Sequence, residues 1–596
     1  MGRSLLIAFL SAFLLHQSSL AQFSKKIDSL IAIYNKATND SDKVVTCGKL
    51  AEYYYIYQLD REGDSVLQQQ LKIAELSQNK DLIFTTYFGN AILYINKWAK
   101  NETFDRALQF ISNGLNYSKA QSRDDYVALS YIRTASIYRL KGDLGTAFNN
   151  ADIATIVSQN IRNDSIKILA TLEKGDIYLA RGESLLAFKT FTNGYENAAA
   201  ADIIPLESEA YHRFASLFVS LKNEFTAKDY LLKSLDLNTK NKYGEGLIKD
   251  YIDLAKLTDE RSYIEKALQL SDSLKLEEYF IQSKGIMYGY YTIKIHRSDS
   301  TLSFLNSNPD LTQTWMNIGM PFYYMNLGSI YHYANKLDSA IYYLKLAEPG
   351  FDKDFKERNR QDLYEEIGQC YSLLQKPQQA ILYYEKALAL NTQVNSLNNA
   401  VIYSNTLSQL YNEVQDYKKA FYYSNQCISL KDSLQKLTNQ RDIALAEVNN
   451  EKKKHERELE IVAEQKLTKR NLQYMAITIF ITVFFFVLII IGMLPVSKVT
   501  IKLLGYFTFI SLFEFIILLI EPLLHDFTHG EPLKIWIIKI FLIALLVPLQ
   551  HYLEHGLVRF LESRKKKNNS IKKMRSGQKK SAEDSIDDIE KDTALL

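Results

Sequence analysis

Small residues return every forty positions along most of this chain. Ala107, Ala147, Ala187, Ala227 and Ala267 are each forty apart, and Ala340, Ala380 and Ala420 resume the spacing after one slip of seven. A fixed period of this length means one supersecondary unit stacked on copies of itself, because a single unit cannot bury its own apolar face. The best copies are Tyr364-x-x-Ile367-Gly368-x-x-Tyr371 followed by Ala380, Tyr384 and Ala387, and Tyr324-x-x-Leu327-Gly328-x-x-Tyr331 followed by Ala340, Leu344 and Ala347. Leu407, Ser408, Tyr411, Ala420 and Cys427 give a third. Further forward, Trp98, Tyr138, Tyr178 and Phe218 hold the aromatic position. Unit starts near 48, 88, 128, 168, 208, 248, 281, 321, 361 and 401 make ten units, and a weak one over 285–309, with Ser300 at the small position, absorbs the slip. Small side chains let two helices of a hairpin approach, and aromatic rings fill the gap to the next.

These residues resemble the tetratricopeptide repeat, whose pattern is a large residue, Leu-Gly, an aromatic, then Ala, an aromatic and Ala. The resemblance implies an all-α superhelix over 22–430 that binds a protein or peptide partner on the concave face of its first helices. On that face the best units place Met325, Ser329 and His332, then Glu365, Gln369 and Ser372, then Asn405, Gln409 and Asn412. They are polar but not basic. The sequence therefore departs from the subgroup that clamps a terminal carboxylate with Lys and Asn. The Tyr pairs at 342–343, 383–384 and 422–423 sit at a packing position and read as core.

Composition narrows the function. Lys and Arg total 71 against 68 Asp and Glu, so no global basic field of the nucleic-acid-binding kind exists and no nucleic-acid partner is expected. Nine Pro and 40 Tyr favour long packed helices, and three Cys cannot staple 596 residues. No cofactor is implied, and the chain is expected not to be an enzyme.

The two ends suggest a membrane protein. Arg3, the apolar run from Leu5 to Leu15 and Ser19-Leu20-Ala21 read as a signal peptide over 1–21. After the repeats, 431–473 is charged and free of Gly and Pro, so it predicts one long juxtamembrane helix with a partial coiled-coil seam through Leu430, Leu434, Leu437, Ala444 and Val448. Apolar stretches at 474–494, 499–520 and 533–553 are each long enough for the about 20 residues of a bilayer span. Ten Lys and Arg between Arg559 and Lys580 would hold a tail, 554–596, inside. The expectation is a bacterial-type inner (plasma) membrane protein with exported repeats, a cytoplasmic C-terminus, contacts to membrane lipid and a cytoplasmic signalling partner. This order resembles bacterial sensor kinases with exported repeat regions, without a kinase domain. Glu514 and Lys539 fall at matching depth in the second and third stretches and predict an intramembrane ion pair.

One motif points elsewhere. His551-x-x-Glu554-His555 matches the H-x-x-E-H pattern in which two His on one helical face hold zinc. A metalloprotein or enzyme built on His551 and His555 is the alternative to a scaffold or sensor that assembles partners or relays to them; His525 and His529 would lie at the opposite membrane face, about 30 Å away across a span, and cannot join that site. No metal is expected.

Overall fold

A computed structural model describes residues 27–56, 59–96, 101–296, 298–354, 357–391 and 396–491, with scattered positions between 497 and 574. The described chain is helical and runs as antiparallel hairpins. They pair α1 (Asp40–Ile56) with α2 (Asp60–Leu76), α3 (Lys80–Asn96) with α4 (Asn101–Ala120), and α5 (Asp124–Lys141) with α6 (Leu144–Gln159). Next come α7 (Asp164–Ala180) with α8 (Ser184–Ala200), α9 (Ile204–Ser220) with α10 (Glu224–Lys240), and α11 (Gly244–Thr258) with α12 (Arg261–Ser273). After α13 (Glu277–Gly289), α14 (Ser298–Ser307) and α15 (Pro309–Ile318), regular pairing returns. There α16 (Met320–Tyr333) pairs with α17 (Leu337–Asp354), α18 (Glu357–Leu373) with α19 (Pro377–Ala389), and α20 (Leu397–Glu413) with the start of α21 (Tyr417–Ile491).

The periodic alanines explain the pairing. Ala107, Ala147, Ala187, Ala227, Ala340 and Ala380 are fully buried, and Ala267 and Ala420 are nearly so at 1% and 8% exposure. Gly175 shows how tight the crossing is, since a Cβ there would stand 2.4 Å from Phe191 Cε1. Between successive helices, both inside hairpins and between them, the chain reverses through single left-handed residues such as Gln375 (φ 56°) and Lys242 (φ 55°), the geometry that terminates a helix by an αL cap. The three cysteines are buried as free thiols.

The slip in the period has a structural form. Helix α13 continues into a π-helical turn, Tyr290–Lys294, and two ten-residue helices follow before α16 restores the phase. Tyr288, Leu305, Leu311, Trp315, Tyr323 and Ile330 share a separate core there. Ser300 is only half-buried, and Thr301 beside it takes the fully buried place.

The chain forms two compact units that divide between Lys452 and Lys453. In the first unit the array curves back on itself: Tyr53 of the first hairpin donates a hydrogen bond to Glu277, 224 residues later, and α15 lies against α1.

The second unit corrects the reading of the C-terminal third. Among the described residues no helix is long and apolar enough to cross a membrane. The stretch expected at 474–494 is described as far as Ile491, as the end of α21. The stretches at 499–520 and 533–553 are described only at separate positions, such as Leu503 and Phe541, and no continuous apolar helix is described there. The three transmembrane helices are therefore withdrawn. The inner-membrane location, with exported repeats and a cytoplasmic C-terminus, rested on them and is withdrawn too. Glu514 lies outside the described residues, so the expected pair with Lys539, which is half-buried, lies outside them too. The signal segment 1–21, His525, His529 and Glu554 also lie outside them. His551 and His555 are exposed, with their Nε2 atoms 3.2 Å apart. Among the described residues no group of three or more His, Cys, Asp or Glu is placed to hold a metal ion.

Candidate binding face of the repeat array

The residues expected to face a ligand divide into two sets. Met325 of α16 packs against the apolar core of the last hairpins. Ser329 Oγ donates to Glu366 Oε2 at 2.8 Å, and His332 Nδ1 lies 3.2 Å from Glu366 Oε1, so both reach forward to the next first helix, α18. Glu365 accepts from Tyr403 Oη of α20 at 2.6 Å and from Gln369 Nε2 at 3.1 Å. Burial raises the Tyr403 hydroxyl above its ordinary range, and the Glu365 carboxylate raises it further. Ser372 is half-buried. By contrast, Asn405, Gln409 and Asn412 of α20 are exposed. The polar residues of α16 and α18 thus hold hairpins together, while those of α20 leave hydrogen-bonding groups open to solvent.

The front of the array repeats this scheme with full charges. Arg139 Nε of α5 donates to Glu173 Oε1 of α7 at 2.9 Å. Asp176 of α7 accepts from Arg213 Nε of α9 at 3.0 Å, and Arg213 also holds Glu209 at 2.5 Å. His212 Nδ1 meets Asp253 Oδ2 of α11 at 2.8 Å. Its Nε2 comes within 3.0 Å of Asp250 Oδ1, but off the line of a hydrogen bond, so that contact is electrostatic. Behind it Asn238 donates to Asp250 Oδ2 at 2.7 Å and to Ser208 at 2.9 Å. First helices α5, α7, α9 and α11 are therefore stitched by a ladder of charged pairs along one face.

The ladder fixes its own protonation. Burial alone would depress His212, but the carboxylates of Asp250 and Asp253 outweigh it and push the imidazole up to about 9. At Asp253 burial is likewise outweighed, by His212 and then Lys256, and the carboxyl lies below its usual value. Glu209 follows the same pattern, with Arg213 as the main opposing charge. Asp176 differs, because burial prevails over Arg213 and raises it. At neutral pH His212 is a cation and Glu209 and Asp253 are anions. Glu209 keeps 35% of its side chain exposed, so its second oxygen can still accept from a bound backbone N–H or basic side chain, whereas Asp253, 41% exposed, already accepts from His212 on Oδ2 and from Lys256 on Oδ1 at 3.5 Å.

The sequence reading omitted this ladder. Its trace was present as charged residues separated by 34 (Arg139, Glu173) and by 37 (Asp176, Arg213) along first helices.

No curated protein matches the chain. A Signal Transduction ATPase with Numerous Domains from Pyrococcus horikoshii, which has a tetratricopeptide repeat sensor, is similar at 13% identity and TM-score 0.39 over 69% of this chain. That alignment spans 66% of the other chain, just under two thirds. Human IFIT1, solved with m7Gppp-AAAA, matches at 13% identity and TM-score 0.37 over 69% of this chain and 94% of its own. The quorum sensor NprR from B. thuringiensis matches at 12% identity and TM-score 0.36 over 54% of this chain and 97% of its own. Residues 361–393, which cover α18 and α19, match the tetratricopeptide repeat family, and the chain carries helical repeats of that type.

Proposed function

We propose that the chain is a non-catalytic binding scaffold that holds a protein or peptide along the face of its first helices. The observation that carries this reading is the charged ladder from Arg139 to Asp253. Its side chains are fixed by neighbouring hairpins while Glu209 keeps an acceptor edge open and Asp253 stays 41% exposed, and ordering them before a partner arrives lowers the cost of binding. The exposed amides of Asn405, Gln409 and Asn412, on the first helix of the last hairpin, add open hydrogen-bonding groups to this reading. Its partner is read as a segment with backbone and basic donors, matched to acceptors that are fixed in place. The test places a photoreactive residue in the full chain either at Gln409, on a first helix, or at Leu232, on the outward side of a second helix. Adducts formed in cells should come from position 409 and be rare at 232. Equal yields at both would end the reading.

A further inference from the structure

Helix α21 continues well past the last hairpin, and along 431–452 most of its residues are exposed. A stripe on it is not. Leu434, Thr438, Arg441, Leu445 and Lys452 are half-buried and Val448 is fully buried, at alternate spacings of four and three, which is one continuous helix face. What covers the stripe is the middle of the array. Val448 belongs to the core cluster that contains Phe188, Phe218, Tyr230 and Leu231, and Ala444 and Leu445 pack against that cluster. Polar contacts flank it: Glu451 lies 3.5 Å from Lys189 Nζ, and Lys452 Nζ stands 5.2 Å above the Tyr230 ring and 6.0 Å from that of Phe218. Residues about 220 later in the chain therefore complete the core of the fourth and fifth hairpins. An apolar seam flanked by an ion pair and a cation–π contact is how an amphipathic helix seats on a partner surface.

We propose that the surface around Lys189, Phe218 and Tyr230 is a helix-docking site, which the chain closes with its own residues 441–452 as a releasable strap. This surface is distinct from the ladder of charged pairs. The strap ties the last hairpin to the fourth and fifth and holds the array curved. Its release frees a site for a helix of the same pattern, apolar at the positions of Leu445 and Val448 and with an acid and a base at those of Glu451 and Lys452.

The experiment uses the full chain, as wild type and as Val448→Glu, with a fluorescent peptide of residues 436–452 as probe. Val448→Glu should bind the peptide at least tenfold more tightly than wild type and show a larger Stokes radius. The same peptide carrying Val448→Glu should not bind. If Val448→Glu melts without cooperativity, Val448→Ala replaces it, with a gain of a few-fold expected. No gain in peptide affinity in a folded variant overturns the docking site. Equal tight binding by wild type and variant overturns its closure by the strap, as does a wild-type dimer in sedimentation that exchanges the helix between copies.

Discussion

Arg139 and Glu173 stand 34 residues apart and meet across a hairpin boundary at 2.9 Å, the separation at which His332 also meets Glu366. Two ends of the array thus solve one problem in the same register. A first helix reaches its successor through a donor in its last turns and a carboxylate near the middle of the next helix. The charges that line the face are therefore structural before they are available to a ligand.

Breaking that contact should be costly. The Glu173 side chain is 7% exposed, so Arg139→Ala leaves a buried carboxylate without its guanidinium, at a loss of about 3–5 kcal/mol. Replacing both, as Arg139→Met with Glu173→Leu, should cost less than Arg139→Ala alone. Chemical denaturation of the variants checks this, and a double variant that loses the sum of the two single losses would show that the residues do not act as a pair.

His212 makes stability depend on alkaline pH. Its folded value of about 9 lies above the about 6.5 of an unfolded histidine, so its contribution is complete below about 6.5 and is lost as pH rises through about 9. Melting temperature should fall more steeply between pH 7 and pH 10 in the wild type than in His212→Gln. Parallel curves would remove His212 as the cause.

Glu348 sets the acid side. It accepts from Lys345 and Lys386 at 2.7 Å each and from Tyr383 at 3.0 Å. Burial opposes its ionisation, but these donors prevail and hold it below the usual carboxylate range. Its contribution is present above about 4.5 and is lost as pH falls through the depressed value. Glu348→Gln should be less stable than wild type at pH 7 and show a flatter acid limb in a pH series of thermal melts.

Ala380 tests the packing phase. It is fully buried, so Ala380→Leu should overpack the hairpin and cost about 1–3 kcal/mol, read as a lower melting temperature. An unchanged melting temperature would mean that the site has room.

The period was readable in the sequence because it follows from a steric limit: where two helices cross closely only Ala or Gly fits, and such positions recur visibly. The ladder was less readable because Arg139, Glu173, Asp176 and Arg213 look like any solvated charges until the superhelix brings successive first helices together. Leu434, Ala444 and Val448 were recognisable as a seam, but periodicity gives a helix a sticky face without naming the surface that covers it. The C-terminal third misled for a related reason. Apolar composition at 474–553 satisfies a bilayer criterion by its count of residues, and among the described residues no helix is both long and apolar enough to cross a membrane.

The bond between Tyr53 and Glu277 has a kinetic consequence. In a stack of hairpins nearly all contacts are local, so neighbouring units can zip together from any starting point. A contact spanning 224 residues gains nothing until the intervening hairpins are in place, because the entropy of closing so long a loop would otherwise oppose it. Closure of the array should therefore come last in folding. Its reversal, with every hairpin still intact, should be the first large-scale opening seen by hydrogen exchange.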